Sequence, residues 1–282
     1  MIEGFDRAGF VAATLAEDLG AGGDITSNAV IPADARLEAV MDSRDAVVVA
    51  GLPLAAAFFR VLDPDCVVEA LVADGDAVAA GTPLMRISGN ARALLAAERS
   101  ALNTVQHLTG IATMTRQYVD AIAGTSAVLL DTRKTLPGLR LLEKHATRMG
   151  GATNHRLRLD DGVMIKDNHI AVAGGVEPAV QAAKAAGLQG IVVEVDRIDQ
   201  IEPAIAAGAD RLLLDNMDVP TLHAAVALVA GRVPTEASGG VRLETIRAIA
   251  QTGVTYISVG RITQSAPAAD IGLDFAQAPD LT

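Results

Sequence analysis

From about residue 129 onward, short β-branched or aliphatic runs alternate with Ala-rich helical segments, and this alternation constrains the fold more than any other feature of the chain. Six runs have the composition of buried strands. They are Val128–Leu130, Val163–Ile165, Ile191–Val195, Leu212–Leu214, Thr235–Ala237 and Tyr256–Val259. Because consecutive strands joined by helices run in the same direction, the sequence predicts six βα units and a parallel sheet.

Six such units form either an open doubly wound sheet or a closed barrel, and periodicity does not separate the two. Polar groups follow each strand; these groups begin at Asp131, Lys166, Glu194, Asp215, Ser238 and Gly260. In a barrel, the carboxyl ends of all strands converge on one mouth, which is where barrel enzymes place their active sites. The polar strand ends therefore favour an incomplete, roughly six-stranded α/β barrel.

The first 110 or so residues follow a different pattern. Residues 5–19 are predicted to be helical, residues 35–50 and 67–87 to form strands with turns, and residues 91–123 to hold one or two long helices. Tight turns near Gly75 and Gly81 are similar in spacing to those of biotinyl and lipoyl carriers. Those carriers display a modifiable lysine, and no lysine precedes Lys134. We therefore interpret this region as a structural sheet packed on helices.

Charge is distributed unevenly along the chain. The whole protein has a net charge of −11, yet residues 133–168 contain eight Lys/Arg and only four Asp/Glu. A cationic cluster inside an acidic protein favours a pocket for a small, multiply charged anion over a broad nucleic-acid surface. With 2% aromatic residues and no Trp, the chain also lacks the stacking platforms that single-stranded nucleic acid requires.

Cysteine usage and hydropathy indicate a soluble protein of a reducing compartment, and we expect it to be cytoplasmic. Cys66 is the single cysteine, which excludes an internal disulfide framework and cysteine-rich metal sites and suggests a buried, inert thiol. The first residues are acidic where a signal peptide would be basic. The longest uncharged apolar stretch, residues 46–59, is interrupted by Gly51 and Pro53 and is too short to cross a membrane.

Several basic residues at the ends of the first two strands are candidates for binding a small dicarboxylate. Arg133 and Arg156 offer planar, bidentate donors, and His155 and Lys166 add to them. Three further basic residues occur at helical spacing on the following segment and are interpreted as a solvated stripe. They are Arg140, Lys144 and Arg148.

Glu194 and Asp215 follow the third and fourth strands and are candidate Mg²⁺ ligands, because Mg²⁺ is commonly held by one or two carboxylates plus substrate phosphates. The alternative is that each carboxylate pairs with Lys134 or Lys166. The loops after the last two strands are candidate phosphate-binding sites, since glycine lets backbone N–H groups approach phosphate oxygens. Their residues are Ser238, Gly239, Gly240 and Gly260.

Taken together, these segments resemble the quinolinate phosphoribosyltransferase family. The resemblance rests on residues 17–20, 24–26, 98–103, 131–134, 137–138, 154–156, 165–169, 194, 214–216 and 237–240. It implies an N-terminal α/β sandwich domain (1–110, completed by the tail 266–282), a barrel domain (111–265) and a homodimer with shared active sites. In that dimer Arg99 of one subunit would reach the pocket of its neighbour.

The resemblance also implies a reaction and a set of residue roles. Quinolinate and phosphoribosyl pyrophosphate would give nicotinate mononucleotide, pyrophosphate and CO₂, with Mg²⁺ held by Glu194 and Asp215 and catalytic roles for these two and for Lys134 and Lys166. The implied substrate-binding residues are Arg99, Thr132, Arg133, Lys134, His155, Arg156, Lys166, Glu194, Asp215, Ser238, Gly239, Gly240 and Gly260.

Three alternatives to this assignment stay open at the level of sequence. A related phosphoribosyltransferase would act on nicotinate or another small anion. A lyase would form a Schiff base at Lys134 or Lys166, although neighbouring Arg133 and Asp167 do not provide the apolar pocket that such a lysine needs. A non-catalytic regulatory protein would bind the same anions without releasing pyrophosphate.

Overall fold

The computed structural model describes residues 4–275. The elements of the N-terminal part are α1 (Arg7–Leu19), α2 (Ile25–Val30), β1 (Arg36–Ser43), β2 (Val47–Val48), α3 (Leu52–Leu62), β3 (Val67–Ala70), β4 (Ala77–Val78), β5 (Thr82–Asn90) and α4 (Ala91–Ala121). The following elements are β6 (Val128–Leu130), α5 (Arg140–Met149), β7 (Met164–Ile165), α6 (Asp167–Ala173), α7 (Val176–Ala185), β8 (Val192–Val195), a 3₁₀ turn (Ile198–Gln200), α8 (Ile201–Ala207), β9 (Arg211–Asp215), α9 (Val219–Val229), β10 (Thr235–Ser238), α10 (Leu243–Ala250), β11 (Tyr256–Ser258), α11 (Arg261–Gln264) and β12 (Ile271–Phe275).

The contacts within the chain define two compact units. Among described residues, the first unit comprises 4–114, 141–150 and 266–275, and the second comprises 115–140 and 151–265. The boundaries proposed from the sequence, 1–110 and 111–265, remain predictions. The proposed contribution of the tail 266–282 extends past residue 275 and so lies partly outside the described residues.

The first unit is built on a four-stranded antiparallel sheet with the order β12-β1-β5-β3. Side chains of β1 alternate in burial along the strand, as expected where one face packs and the other is solvated. On the packed face, Met41 registers with Leu273 of β12 and Met85 of β5. The described part of the tail therefore supplies an edge strand to this sheet.

The helices of the first unit contact its core through aromatic side chains and through a buried hydroxyl group. Phe10 of α1 meets Phe58 of α3 edge-on, with ring centroids 6.2 Å apart. On α4, the hydroxyl of Thr109 both accepts from the backbone N–H of Ala50 and donates to its carbonyl, each over 3.1 Å. These bonds satisfy backbone groups of a segment that has no ladder partner at this point.

The prediction of a solvated basic stripe on α5 is wrong for Lys144. This side chain is only 1% exposed, although Arg148 is exposed and Arg140 is half-buried with hydrogen bonds to Thr135 and to the carbonyl of Leu157. Glu143 is fully buried as well and lies 3.0 Å from His107 Nε2. Helical spacing alone did not reveal that α5 turns charged side chains toward the protein interior.

The second unit contains the six predicted strands in one parallel sheet of order β6-β11-β10-β9-β8-β7. From β7 to β11 the strands lie side by side in chain order, and the first strand, β6, then pairs with the last, β11. A doubly wound sheet reverses its strand order at a central switch point, whereas a barrel keeps chain order and returns to its first strand.

The barrel is incomplete between β6 and β7. At that junction the strands are not paired directly, and one isolated parallel bridge joins Leu130 to Thr153. The prediction of an incomplete, six-stranded α/β barrel together with an N-terminal α/β domain is confirmed. All six strand ends that bear the candidate polar residues therefore face one mouth.

Two further expectations concern Cys66 and membrane spans. Burial raises the pKa of the Cys66 thiol, and the nearby charge of Asp63 adds to this effect, which lowers the reactive thiolate fraction. Among residues 4–275, no helix combines the length and the apolar character needed to cross a membrane.

Candidate functional site

The carboxyl ends of the barrel strands surround a pocket of about 700 Å³. Its lining residues come from the loops and strand ends of the second unit: Thr132, Arg133, Lys134, His155, Arg156, Met164, Lys166, Glu194, Leu213, Asp215, Asn216, Glu236, Ser238, Gly239, Gly240, Val241, Arg242, Ser258, Val259, Gly260, Arg261 and Gln264. The volume is typical of pockets for small-molecule ligands.

One side of this pocket is strongly basic. Burial lowers the pKa of the Arg156 guanidinium, and the positive charge of Arg133 lowers it further, so the two guanidinium groups lie close enough to repel each other. The Nε atom of Arg133 is buried and has no hydrogen-bond acceptor among the described residues. Buried donors are normally paired, and this side of the pocket therefore suits an anion with several oxygen atoms.

A buried aspartate fixes the backbone that carries these groups. Asp131, at the end of β6, is completely buried and accepts hydrogen bonds from Asn154 Nδ2 (2.6 Å) and from the backbone N–H of His155 (2.7 Å). Arg156 is held in turn by its Nη1, which donates to the carbonyl of Gly162 over 2.8 Å. Asp131, at the end of β6, thus holds the segment that carries His155 and Arg156 in place. This segment lies at the junction where β6 and β7 are not paired with each other.

The floor of the pocket contains a buried carboxylate, Glu236, that our sequence analysis missed. Burial opposes its ionisation, but the neighbouring His155, the Ser258 hydroxyl and the charge of Arg211 outweigh burial and hold its pKa below the ordinary value. The sequence did contain a signal for this residue. Glu236 precedes Ser238 by two positions in a strand, so both side chains point to the same side of the sheet.

The acidic side of the pocket is formed by Glu194 and Asp215. Lys166 Nζ donates a hydrogen bond to Glu194 Oε2, as the lysine-pairing alternative anticipated. Burial raises the pKa of Asp215, and the negative charge of Glu194 raises it further, against the opposing charges of Lys166 and Lys134. The two carboxylates are therefore close neighbours whose repulsion the lysines only partly offset.

This donor set suits a cation that arrives with a phosphorylated ligand. Within residues 4–275, no three His, Cys, Asp or Glu side chains form a group able to hold a metal by themselves. Mg²⁺ does not need such a cage, since one or two carboxylates together with phosphate oxygens and waters complete its octahedron. Glu194 and Asp215 provide that number of carboxylates and carry a repulsion that a cation would relieve.

The third part of the pocket is a glycine loop after β10. Gly239 has a φ of +89°, and a Cβ atom at this position would lie 2.1 Å from Asn216 Oδ1 and 2.8 Å from the backbone N of Asn216. Asn216 itself has a φ of +54°, a conformation that Asn tolerates better than most residues. Its side-chain Nδ2 donates to Asp215 Oδ2 over 2.7 Å, so one residue contacts both the acidic side and the glycine loop.

The last barrel loop closes the pocket from the opposite direction. Gly260 approaches Lys134 so closely that an added Cβ would lie 2.7 Å from its Cδ. Thr263 Oγ1 donates to the carbonyl of Lys134 over 2.7 Å, and the backbone N–H of Lys134 donates to Thr132 Oγ1 over 3.0 Å. Two glycine loops and a lysine thereby line one pocket, a combination that suits phosphate groups.

The structure brings together every sequence-predicted site residue except Arg99. That arginine lies on α4, in the first unit, and does not line the pocket. The pocket also contains basic residues that the sequence analysis did not select, Arg242 and Arg261, each adjacent to one of the glycine loops. Their positions directly after glycine-ended strands were the signal that would have identified them.

Comparisons with known protein families agree with this geometry. The family description "Quinolinate phosphoribosyl transferase, C-terminal domain" matches residues 111–274, and "Quinolinate phosphoribosyl transferase, N-terminal domain" matches residues 24–109.

Individual relatives match along most of the chain. A nicotinate-nucleotide pyrophosphorylase [carboxylating] of Mycobacterium leprae is 44% identical over 269 residues, covering 92% of this chain and 94% of that protein. A probable nicotinate-nucleotide pyrophosphorylase [carboxylating] of Synechocystis is 43% identical over 268 residues, covering 93% and 90%. The crystal structure of a nicotinate-nucleotide pyrophosphorylase from Ehrlichia chaffeensis superposes with a TM-score of 0.93 at 39% identity and covers 97% of this chain and 100% of that one.

Proposed function

Because the chain belongs to the quinolinate phosphoribosyltransferase family, we propose that its pocket transfers the phosphoribosyl group of phosphoribosyl pyrophosphate to quinolinate. The products are nicotinate mononucleotide, pyrophosphate and CO₂, a step of de novo NAD biosynthesis. The observation that carries this assignment is the combination, in one pocket, of two adjacent guanidinium groups with a carboxylate pair and two glycine loops.

Quinolinate occupies the basic side of the pocket. Its two carboxylates pair with the guanidinium groups of Arg133 and Arg156, with support from His155 and Lys166. The buried, unpaired Nε of Arg133 gains an acceptor in this complex, and the repulsion between the two guanidinium groups is relieved. Nicotinate has one carboxylate and would leave part of this donor set unpaired, which costs affinity. The dicarboxylate is therefore the better fit.

Phosphoribosyl pyrophosphate occupies the acidic side and the glycine loops. Its 5′-phosphate lies against Ser238, Gly239, Gly240 and Gly260, where backbone N–H groups and helix starts favour an anion. Its pyrophosphate lies near Lys134, with Thr132 shaping the same loop. Glu194 and Asp215 would hold an Mg²⁺ ion, which would supply charge neutralisation for the pyrophosphate leaving group.

In the reaction, the pyridine nitrogen forms a bond to C1 of the ribose while the bond from C1 to the pyrophosphate oxygen breaks, and the bonding electrons leave with pyrophosphate. The C2 carboxylate then departs as CO₂, and the electron pair left on C2 takes up a proton. The chain's own residues contribute by holding the nucleophile in line with C1 and by placing Lys134 and Lys166 where negative charge develops. No covalent enzyme intermediate is required.

The direct test is to incubate the protein with quinolinate, phosphoribosyl pyrophosphate and Mg²⁺ and to measure CO₂, pyrophosphate and nicotinate mononucleotide together. We expect the three products in equal amounts. Replacing quinolinate by nicotinate tests the alternative substrate, and borohydride trapping with carbonyl compounds tests a Schiff base at Lys134 or Lys166. Nicotinate turnover at a comparable kcat/KM, or a borohydride-trapped lysine, would contradict the assignment.

We further propose that the protein acts as a homodimer in the cytoplasm, with Arg99 of each subunit completing the pocket of its partner. Support comes from the match of both family domains to the chain and from the position of Arg99 on a helix outside the set of pocket-lining residues. A two-fold dimer provides two equivalent shared sites. Mixing Arg99→Ala subunits with Arg156→Ala subunits, and measuring whether activity recovers, provides the test.

A further inference from the structure

The floor of the barrel contains a charge that the proposed reaction does not use. Glu236 lies in the middle of β10, in register with Leu213 of β9 and Tyr256 of β11, and its side chain is completely buried while lining the pocket. A carboxylate at the floor of a pocket for an anion opposes ligand binding by like-charge repulsion. An apolar side chain of similar volume would remove that repulsion, so the carboxylate calls for a role.

The positive charge of Arg211 partly neutralises the negative charge of Glu236. Its Nη1 lies 3.3 Å from Glu236 Oε2, and its guanidinium carbon lies 4.2 Å from the ring centre of Tyr256. A cation stacked on an aromatic ring and paired with a carboxylate is held firmly in place. Arg211 thus adds to the effects of His155 and Ser258, which lower the pKa of Glu236 despite its burial, and Arg211 and His155 both approach the same oxygen, Oε2.

On the upper side, Glu236 faces His155. The imidazole Nε2 lies 3.4 Å from Glu236 Oε2, a long contact of the kind that tightens when substrate binds. The other ring nitrogen, Nδ1, accepts a 2.8 Å hydrogen bond from the backbone N–H of Arg156. Because Nδ1 acts as an acceptor, the ring proton lies on Nε2 and points at the carboxylate.

These contacts form a chain from the barrel floor to the substrate-binding arginine. We propose that Glu236, with Arg211 beneath it, is a positioning residue that fixes the ring of His155 and through it Arg156, and thereby sets the affinity of the pocket for quinolinate. The proposal rests on the proposed function for the identity of the anion. It predicts a smaller effect on phosphoribosyl pyrophosphate, because the contact that runs through His155 leads to Arg156 and not to the glycine loops.

The test compares Glu236→Gln, Arg211→Met and the double variant in steady-state kinetics and thermal unfolding. Glu236→Gln keeps the volume of the side chain but removes the charge that holds His155 and balances Arg211. We expect its KM for quinolinate to rise about tenfold or more, as for loss of a charged hydrogen bond, while its KM for phosphoribosyl pyrophosphate changes less than about twofold. We expect Tm to fall because Arg211 loses its buried partner.

The double variant separates positioning from structural support. Removing both charges restores the electrostatic balance of the barrel floor, so the Tm of the double variant should recover toward that of the unmodified protein. Its KM for quinolinate should stay high, because the charged acceptor for His155 Nε2 is still missing. A KM that recovers together with Tm would overturn the proposal, as would a quinolinate KM within twofold of normal in Glu236→Gln. Glu202→Gln, which removes an exposed partner of Arg232, is the matched control and should change neither quantity.

A spectroscopic readout keeps this proposal separate from the proposed function. In ¹⁵N-labelled protein, we expect the ring of His155 to show a protonated Nε2 and a hydrogen-bonded Nδ1. In Glu236→Gln we expect the same tautomer, since the N–H of Arg156 still donates to Nδ1, but a shifted Nε2 resonance, because Nε2 has lost its charged acceptor; His155→Gln identifies the signal. An unchanged Nε2 resonance in Glu236→Gln would overturn the positioning role whether or not the protein turns over quinolinate. Absence of turnover in the unmodified protein, with the expected Nε2 shift, would instead contradict the function.

Discussion

Replacing Gly239 by alanine tests how the glycine loop is built. The backbone at this position has a φ of +89°, and the added Cβ would lie 2.1 Å from Asn216 Oδ1 and 2.8 Å from the backbone N of Asn216. The Asn216 side chain can rotate away from the new methyl group, but its backbone cannot. Gly239→Ala therefore forces the loop itself to move, away from the position that we assign to the 5′-phosphate.

The expected loss of stability has two parts. A left-handed conformation costs a residue with a Cβ about 1–2 kcal/mol, and an overlap that shifts the backbone costs about 1–3 kcal/mol more. A total of about 2–5 kcal/mol corresponds to a decrease in Tm of roughly 4–20 °C, at about 2–4 °C per kcal/mol for a chain of a few hundred residues. The matched control is Gly231→Ala. Gly231 has a φ of +72° but no atom within 4 Å of an added Cβ. Gly231→Ala therefore carries only the cost of the left-handed conformation, and its Tm should fall by about 2–8 °C.

The assays are thermal unfolding and the KM for each substrate. We expect the Tm of Gly239→Ala to fall at least about 2 °C further than the Tm of Gly231→Ala, since this is the smallest decrease that the overlap implies. We also expect a large rise in the KM for phosphoribosyl pyrophosphate in Gly239→Ala alone. Equal losses of Tm in the two variants would refute the overlap, and an unchanged KM would refute the assignment of the loop to phosphate.

Three further predictions concern charged residues. Arg133→Met should raise the quinolinate KM about tenfold to a hundredfold, as for loss of a charged hydrogen bond, and an unchanged KM would contradict the assigned pocket. Subunits carrying Arg99→Ala, mixed with Arg156→Ala subunits, should recover activity through heterodimers that contain one intact site; no recovery despite verified subunit exchange would argue against sharing. The pKa of Glu236 is lowered by folding, so its contribution to stability is complete above its ordinary value of 4.5 and is lost as the pH falls through the folded-state value. Below pH 4.5 the Tm of Glu236→Gln should therefore fall less steeply than that of the unmodified protein, and parallel curves would contradict the assigned cause.

The architecture of the second unit was readable from sequence because its signals are local. Short apolar strands, each followed by polar groups, predict both the strands and the end of the barrel where the site lies. The residues that follow directly from this logic, such as Arg133, Glu194 and Gly239, line one pocket. Their roles in binding and catalysis remain proposals.

What the sequence did not reveal depends on contacts between distant segments. Lys144 has the spacing of a solvated helix stripe, yet the packing of α5 buries it. Glu236 and Arg211 lie within strands, where a charged residue is unexpected, and only the neighbouring strands show that they pair. Side chains alternate between the two faces of a strand, so Glu236 lies on the same face as Ser238. The position two residues before a candidate site residue at a strand end is therefore a signal that identifies Glu236.

The pairing of β6 with β11 has a consequence for how the protein is made. Leu130 of β6 pairs with Ser258 of β11, which follows far later in the sequence. In a nascent polypeptide, β6 therefore has only the bridge from Leu130 to Thr153 for lateral support until β11 has been synthesised. Contacts this far apart in sequence slow folding and prolong the exposure of unpaired strand edges. Arg133 and Lys134, which follow that strand, therefore become part of a working pocket only at the last stage of maturation.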